Sequence, residues 1–203
     1  MRIVIIDYKM GNIASVSKAF ASIGVPAVVS GEPKDIERAT HLVLPGVGAF
    51  GDGMENLRKQ GLIPLLRRKV LEDKTPFFGI CLGMQLLAQT GTEFGEYEGL
   101  GWVRGSVIKL RGDKNLRLPH IGWNNISVNH QDVLFRNIVD DNFYFVHSYH
   151  IDCADAAVVS AMCTYGQTFA AALHQGNIFA TQFHPEKSQA GGLRVLRNFL
   201  EQK

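Results

Sequence analysis

Cys81 is the residue whose surroundings most clearly indicate chemistry. It is the centre of the sequence Gly-Ile-Cys-Leu-Gly at residues 79–83, between an apolar segment typical of a buried strand and a helical pattern. Flanking glycines suit the strained strand-to-helix turn that presents a nucleophile, because the neighbouring backbone is crowded there. We predict that the Cys81 sulfur projects into a cleft at the start of a helix running through Gln89, whose dipole favours the thiolate. The alternative is an inert cysteine buried in a tight turn.

His184 and Glu186 supply the base and the carboxylate that a thiol nucleophile needs. They flank Pro185, and a residue before proline is restricted to extended backbone, where side chains two residues apart face the same way. The carboxylate can then fix the imidazole tautomer while the other ring nitrogen faces the thiol. A His-x-Glu sequence also arises by chance on surface strands. Its position after an apolar strand, with the cysteine earlier in the chain, favours a Cys81–His184–Glu186 triad.

Two backbone segments can supply the hydrogen-bond donors that a tetrahedral intermediate requires. One is the N–H of Leu82, directly after the nucleophile, and the other is the Pro-Gly-Val-Gly loop of residues 45–48. We predict an oxyanion hole formed by Val47, Gly48 and Leu82. A tight packing turn or a phosphate loop would also use glycines, but the Lys and Ser/Thr that complete a Walker A motif do not follow here.

Short apolar segments alternate with helical periodicity over the first half of the chain, which is typical of parallel strands joined by helices. The second half changes to hairpin-like β structure. Predicted strands include 2–7, 25–30, 40–44, 76–80, 103–110, 126–128, 143–151, 158–163, 169–174 and 178–183. We therefore predict a single α/β domain over residues 1–203, with a mixed, mostly parallel open sheet flanked by helices and an antiparallel β extension.

Composition excludes several classes of protein. The 203 residues are 46% hydrophobic and 20% charged with a net charge of +2, unlike disordered chains or nucleic-acid-binding domains. No segment resembles a signal peptide or a membrane span, and three cysteines are too few for a disulfide framework or a zinc site. Cys153 and Cys163 are interpreted as small core residues. We expect a cytoplasmic protein that uses no metal or organic cofactor and binds neither nucleic acid nor membrane.

The motifs together resemble one enzyme family. The Pro-Gly-Val-Gly loop, the cysteine turn followed by Met84 and Gln85, and the sequence His-Pro-Glu at residues 184–186 are similar to the class I (triad) glutamine amidotransferases, and they span nearly the whole chain. The resemblance implies a flavodoxin-like fold. It also implies that Cys81 attacks the side-chain amide of glutamine, and that the histidine protonates departing ammonia and then activates water.

The same resemblance implies how glutamine is held. Gln85 would lie one helical turn beyond the cysteine and touch the substrate, while Glu93 would hold the α-amino group. The backbone of Ser148 and Tyr149 would hold the α-carboxylate. The chemistry of the family implies no role for three histidines, which are interpreted as core or surface residues: His120, His147 and His150.

Three further segments resemble one branch of this family, the glutaminase subunits of imidazole glycerol phosphate synthases of histidine biosynthesis. They are residues 48–54 (Gly-Ala-Phe-Gly-Asp-Gly-Met), 118–124 (Leu-Pro-His-Ile-Gly-Trp-Asn) and 144–149 (Tyr-Phe-Val-His-Ser-Tyr). This resemblance implies a heterodimer with a cyclase subunit that receives the ammonia. The implied interface residues are Asn12, Pro119, Ile121, Trp123, Tyr144 and Lys187. A packed β-edge is the alternative for residues 118–124.

Three other interpretations are open on the sequence. The glutaminase of pyridoxal phosphate synthase is also a short chain, but it lacks a segment of the type found at residues 118–124. A non-catalytic binding module on the same scaffold would leave the triad free to change. A cysteine peptidase on a related sheet would be distinguished by turnover of peptides in place of glutamine.

Overall fold

The computed structural model describes residues 1–112, 116–128 and 132–202. Its strands are β1 (Ile3–Ile6), β2 (Val28–Ser30), β3 (His41–Gly46), β4 (Phe77–Cys81), β5 (Thr90–Gly91), β6 (Tyr97–Glu98), β7 (Gly105–Lys109), β8 (His120–Val128), β9 (Asn142–His147), β10 (Tyr149–Cys153), β11 (Val159–Tyr165), β12 (Gln167–Gln175) and β13 (Ile178–Thr181). The strands predicted from the sequence lie close to these ranges, except in the segments described below.

The α-helices connect the strands of the first half and close the chain. They are α1 (Ile13–Ser22), α2 (Pro33–Glu37), α3 (Phe50–Lys59), α4 (Leu62–Arg67), α5 (Leu82–Gln85) and α6 (Gln189–Leu200). A π-helical turn, Arg68–Glu72, extends α4, and 3-10 turns occupy Val133–Phe135, Ala156–Val158 and Pro185–Lys187. Across the described residues, none of these helices has the length and apolar character needed to cross a membrane.

Among the described residues, a nine-stranded mixed sheet forms the centre of the domain, in the order β2-β1-β3-β4-β13-β12-β11-β8-β9. The strand pairs from β2 to β13 are parallel, and those from β13 to β9 are antiparallel. The predicted α/β class with a mixed sheet is confirmed, and the antiparallel half is as large as the parallel half. A smaller sheet, β10-β7-β5-β6, packs beside it.

Each face of the central sheet has its own apolar core, because successive residues of a strand point to opposite faces. Val4 of β1 contributes to the core that includes Leu57 of α3. Its neighbour Ile5 contributes to the second core with Phe20 of α1 and Phe199 of α6. Burial on both faces explains why the parallel strands are almost continuously apolar. It also holds the ends of these strands rigidly.

The register of the parallel strands brings the predicted functional segments to one edge. Gly46 at the end of β3 is opposite Cys81 at the end of β4, and Ile80 is opposite Thr181 of β13. The loop after β3, the cysteine turn and the residues after β13 therefore meet at the carboxyl ends of the strands, where ligands bind in open α/β sheets.

Two predicted strands differ from the structure. The segment predicted as one strand over 143–151 is two, because β9 pairs with β8 in the large sheet and β10 pairs with β7 in the small one. Ser148 lies at the change of sheet. The segment predicted over 126–128 is only the end of β8, which begins at His120. Residues 120–125 include a glycine and two asparagines, which are depleted in strands, so their strand pattern in the sequence is weak.

Candidate active site

Cys81 occupies the strained turn that the sequence predicts. Its backbone has φ 53° and ψ −106°, a conformation that is costly for residues other than glycine. A Cβ on Gly79 would lie 2.7 Å from the carbonyl oxygen of Gly83, and a Cβ on Gly83 would overlap the carbonyl oxygen of Leu44. Only hydrogen fits at these two positions. The flanking glycines therefore let the backbone turn sharply with Cys81 at its apex.

The helix after Cys81 is one turn long, and the prediction that it continues through Gln89 is wrong. α5 ends at Gln85. In a longer helix the carbonyl groups of residues 86–89 would accept hydrogen bonds from the next turn, but here they accept from the N–H groups of residues 99–103. A short helix has few aligned peptide dipoles, so its N-terminus is a weaker position for an anion than that of the predicted helix.

His184 and Glu186 form a buried pair beside the cysteine. Nδ1 of His184 lies 2.8 Å from Oε1 of Glu186, and the two side chains are 2% and 0% exposed. The backbone of His184 is extended, as predicted for a residue before proline, but Pro185–Lys187 form a 3-10 turn. The carboxylate therefore reaches the imidazole from a tight turn and not from a continuing strand.

The neighbours of His184 favour its protonated form. Burial lowers the pKa of the imidazole, but negative charge on Cys81 and the contact with Glu186 outweigh burial and raise the pKa to about 10. Nε2 of the ring is buried and has no hydrogen-bond partner among the described residues. A cationic ring with its Nε2 directed away from the carboxylate can serve as a proton donor to a group bound near Cys81.

A cavity of about 190 Å³ opens beside Cys81. Its wall contains the three residues predicted for the oxyanion hole and the four predicted to touch the substrate: Val47, Gly48, Leu82, Gln85, Glu93, Ser148 and Tyr149. Val146 and His147 complete the lining. The cavity is smaller than the roughly 300–1,000 Å³ of sites for drug-sized ligands, which suits a molecule the size of one amino acid.

The contacts of Gln85 and Glu93 limit what these residues can offer to a ligand. Nε2 of Gln85 donates to the Tyr149 carbonyl at 2.8 Å and to Oε1 of Gln182 at 3.1 Å, so only its own Oε1 is left to accept. Oε2 of Glu93 accepts from the Phe50 N–H at 3.0 Å, at the start of α3. Burial raises the pKa of Glu93, and a cationic group in the cavity would offset that effect.

The Pro-Gly-Val-Gly loop packs against the loop that follows β1. A Cβ on Gly11 would lie 2.7 Å from the Val47 nitrogen, and the Tyr8 hydroxyl occupies the space that a Cβ on Gly46 would need. Gly48 has φ 112°, a value that glycine adopts at low cost. Val47 is 41% exposed. The loop is thus supported closely on one side and open to solvent on the other.

The chain matches the family model for glutamine amidotransferase class-I over residues 4–203. It belongs to that family. This glutamine amidotransferase is 50% identical over 198 residues to the imidazole glycerol phosphate synthase subunit HisH 1 of Campylobacter jejuni subsp. jejuni serotype O:23/36 (strain 81-176), covering 97% of this chain and 98% of that protein. It is 48% identical over 209 residues to the HisH subunit of Geobacter sulfurreducens (strain ATCC 51573 / DSM 12127 / PCA), covering 100% and 99%.

Solved structures share the fold of this glutamine amidotransferase. A chain described as a glutamine amidotransferase superposes with a TM-score of 0.77 at 21% identity, with 99% and 98% of the two chains covered. A chain of PurLQS from Thermotoga maritima gives a TM-score of 0.77 at 18% identity, with 98% and 97% covered. At these identities the likeness concerns the fold alone.

Gln182 contacts the side chain of Cys81, although the sequence pattern suggests no role for it. Its Nε2 lies 3.7 Å from Sγ of Cys81, and its Oε1 accepts from Gln85. The only signal in the sequence is its position two residues before His184, where extended backbone would place both side chains on one face. Together Gln182 and Gln85 fix each other's amide orientation at the floor of the cavity.

An exposed aromatic surface lies beside the triad and contains five of the residues predicted to face a partner. Ile121 and Trp123 of β8 are 60% and 45% exposed. The Trp123 ring packs edge-on against Tyr144 with 6.0 Å between centroids, and Nζ of Lys187 lies 5.4 Å from the Tyr144 centroid. Pro119 is also exposed. We call these five residues the aromatic surface.

Tyr144 and Asn12 connect this region to the triad. The carbonyl of Tyr144 accepts a hydrogen bond from the His184 N–H at 2.9 Å. Asn12, the sixth predicted interface residue, makes no capping bond to α1, and its Nδ2 donates to Oε1 of Glu186 at 3.2 Å. Asn12 therefore holds the Glu186 carboxylate by a hydrogen bond, which the sequence does not indicate.

The remaining cysteines differ from Cys81 in their surroundings. Burial raises the pKa of the Cys153 and Cys163 thiols to about 12 in each case, so both are protonated at neutral pH. Cys163 lies in the core as predicted, whereas Cys153 is partly exposed. In the ranges that the structure describes, no cluster of three or more His, Cys, Asp or Glu residues could hold a metal ion.

We expect the Gly83→Ala variant to lose both stability and activity. Its new methyl group would overlap the carbonyl oxygen of Leu44 in β3, so the free energy of unfolding should fall by about 1–3 kcal/mol. Displacing Cys81 by about 1 Å should lower glutaminase activity by about 100-fold. Denaturant unfolding and ammonia release measure the two effects. Gly191→Ala in α6 is the control, since the nearest atom to the new Cβ would be 3.4 Å away. Equal losses of stability and activity in the two variants would contradict the steric argument.

Proposed function

We propose that this chain is the glutaminase subunit of an imidazole glycerol phosphate synthase and that it hydrolyses L-glutamine to glutamate and ammonia. The observation that carries the proposal is a buried His184–Glu186 pair beside Cys81, and Cys81 itself lines a cavity sized for one amino acid. HisH subunits from bacteria and from Methanococcus maripaludis, 50% to 41% identical over nearly the whole chain, support the choice of this branch of the family.

The proposed reaction begins with attack of the Cys81 sulfur on the amide carbon of glutamine. The electron pair of the carbonyl moves to oxygen, and N–H groups from the residues predicted for the oxyanion hole, Val47, Gly48 and Leu82, would stabilise that charge. As the intermediate collapses, Nε2 of His184 donates its proton to the departing nitrogen, which leaves as ammonia. A γ-glutamyl thioester on Cys81 remains.

Water then completes the proposed cycle. Nε2 of His184, now neutral, takes a proton from water as the oxygen attacks the thioester carbon, and the sulfur leaves as a thiolate paired with the cationic ring. Glutamate is released. Glu186 holds Nδ1–H of the ring throughout, at 2.8 Å in the structure, so that Nε2 stays directed toward the sulfur and the positive charge of the ring is stabilised.

The cavity wall offers a carboxylate for one end of glutamine and backbone groups for the other. We assign the α-ammonium to Glu93, because its carboxylate is half-buried and only one oxygen is used by the Phe50 N–H. The α-carboxylate would meet the backbone of Ser148 and Tyr149, and Oε1 of Gln85 would accept from the substrate. Burial raises the pKa of Glu93, so an ammonium group bound beside it should favour its charged form.

Ammonia needs a protected path to its acceptor, because in neutral water most of it is protonated and loses its nucleophilicity. The aromatic surface beside the triad has the composition of an interface centre, with exposed tryptophan and isoleucine side chains and a partly exposed tyrosine. We propose that it binds the cyclase subunit, which would use the ammonia to form imidazole glycerol phosphate and AICAR. We place the complex in the cytoplasm, where the three free cysteines would stay reduced.

The Pro-Gly-Val-Gly loop is the proposed point of control. Gly48 tolerates several backbone conformations, and the loop is supported on one side only. We propose that it is inactive in the isolated subunit, and that binding of the partner with its nucleotide ligand shifts the population to an active conformation. Such control would prevent waste of glutamine when no acceptor is present.

Ammonia release from glutamine tests this proposal directly. The purified chain should release little ammonia alone and on the order of 100-fold more when the cyclase subunit and its ribonucleotide ligand are added, since allosteric coupling free energies are typically about 1–3 kcal/mol, or about 5- to 150-fold. Strong activity of the isolated chain, unchanged by the partner, would refute the loop mechanism. If no ammonia is released from glutamine with the liganded partner, or if peptides are hydrolysed in place of glutamine, the assignment of substrate and partner is refuted.

A further inference from the structure

A chain of hydrogen bonds runs from the cavity wall into the strands that carry the aromatic surface. Nδ1 of His147 lies 2.8 Å from the Tyr149 carbonyl oxygen, and Nε2 of His147 lies 3.2 Å from Nδ1 of His120. Nε2 of His120 in turn lies 3.3 Å from Nδ2 of Asn124, which is also 3.0 Å from the Thr164 carbonyl oxygen. Neither histidine has a role in the chemistry that the family resemblance implies.

The chemistry of the Tyr149 carbonyl determines which atom is the donor in each of these hydrogen bonds. The Tyr149 carbonyl can only accept, so Nδ1 of His147 carries hydrogen and Nε2 of the neutral ring accepts. Nδ1 of His120 must therefore donate, and its Nε2 accepts from the amide of Asn124. The amide orientation agrees, because Oδ1 of Asn124 accepts from the Asn125 N–H at 2.9 Å. All four links then have one donor and one acceptor.

Protonation of either ring would break this arrangement. A second N–H on His147 would reverse the His147–His120 bond and direct the Nε2–H of His120 at the Asn124 amide hydrogens. His120 is enclosed between the rings of Phe145 and Tyr165, with centroids 4.8 Å and 4.0 Å away. Burial lowers the pKa of His120 to about 4 and that of His147 to about 3, which agrees with two neutral rings.

The series of hydrogen bonds ends at the Tyr149 carbonyl, which lies in the wall of the cavity. The Tyr149 carbonyl accepts from both His147 and Gln85, and Ser148 and Tyr149 form the wall to which we assign the substrate carboxylate. His120 is paired with His147 across β8 and β9, and the next residues of β8 outward include Ile121 and Trp123 of the aromatic surface. The wall thus follows directly on β9, whose partner strand β8 carries Ile121 and Trp123 of the aromatic surface.

We propose that His147, held by His120 as an Nδ1–H tautomer, is a positioning residue that fixes the Ser148–Tyr149 backbone for binding of the glutamine carboxylate. This inference rests on the proposed function for the identity of the ligand. The role of His147 is exerted through the Tyr149 carbonyl and not through the reacting atoms, so its loss should act on KM for glutamine and leave kcat nearly unchanged.

Paired substitutions test the positioning role. The His147→Leu variant removes the donor to the Tyr149 carbonyl, and we expect KM for glutamine to rise about 3- to 10-fold in the complex with the cyclase subunit. The His147→Asn variant keeps a donor near the position of Nδ1, so its KM should return toward that of the unaltered chain. The His120→Leu variant should raise KM by a smaller factor.

A matched control separates positioning from general destabilisation. His41 is as deeply buried as His147 and bonds to the Gln202 carbonyl. It is the first residue of β3, at the end of that strand away from the cavity. The His41→Leu variant should lose stability without a change in KM. If His147→Leu lowers kcat alone, or if His41→Leu raises KM to the same extent, the positioning role is refuted.

The tautomers can be observed without any enzymatic activity. Long-range proton–nitrogen correlation spectra of the isolated, nitrogen-15-labelled chain at pH 7 should show both His120 and His147 as neutral Nδ1–H tautomers. An Nε2–H tautomer or an imidazolium at either ring would overturn the inference, whatever the activity measurements give. If the spectra agree but no glutamine is hydrolysed with the partner present, the hydrogen-bond chain stands and the proposed function fails.

Discussion

We expect the Cys81→Ala variant to lose glutaminase activity by at least about 10⁴-fold in kcat, because removal of a covalent nucleophile leaves only binding and the oxyanion donors. The change is local. Alanine is small enough for the crowded turn, and the flanking glycines that permit the backbone conformation of Cys81 remain. Ammonia release in the complex with the liganded cyclase subunit is the measurement, with glutamine binding by calorimetry as evidence that the cavity is intact.

Cys163→Ala is the matched control for this prediction. Cys163 is as well buried as Cys81, but burial raises the pKa of its thiol to about 12, so it should carry no thiolate at neutral pH. This variant should keep nearly full activity and lose only the stability expected from removing a buried sulfur. Activity in the Cys81→Ala complex within about tenfold of the unaltered complex would refute the thioester mechanism.

The cysteine turn was predictable because its causes are local. Five residues contain both the predicted nucleophile and the glycines that the crowded backbone requires, and the structure gives Cys81 a φ of 53°. The pairing of His184 with Glu186 was also local, although a 3-10 turn and not an extended strand brings the carboxylate to the ring. The α/β class followed from alternating patterns that persist over long segments.

What the sequence did not reveal depends on contacts between distant segments. The length of α5 is decided by residues 99–103, whose N–H groups take the carbonyls that a longer helix would use. Asn12 directly precedes α1 but makes no capping bond, and its side chain donates to Glu186, 174 residues away in the sequence. The donor order of His120 and His147 requires the register of β8 and β9, which periodicity alone cannot supply.

The Glu186→Gln variant should lose about 10³- to 10⁴-fold in kcat with little change in KM for glutamine, since the role of the carboxylate is to orient and stabilise the charged ring. The substituted glutamine side chain has the same shape as the glutamate that it replaces, so Asn12 and the Pro185–Lys187 turn can remain in place. However, its amide can present N–H to Nδ1 of His184, which would favour the wrong tautomer. Neutralising the side chain also removes a charge that keeps the imidazolium protonated.

The pH dependence gives this prediction its sharpest test. Burial lowers the pKa of His184, and Cys81 together with Glu186 raises it to about 10, so the ring stays protonated until the pH rises through that value. Without the charge of Glu186 the pKa must fall, and the alkaline limb of kcat/KM should move to lower pH. Glu201→Gln at the end of α6, a half-exposed carboxylate paired with Arg136, should leave the profile unchanged. If Glu186→Gln lowers kcat without moving the alkaline limb, the carboxylate orients His184 but does not stabilise its charge.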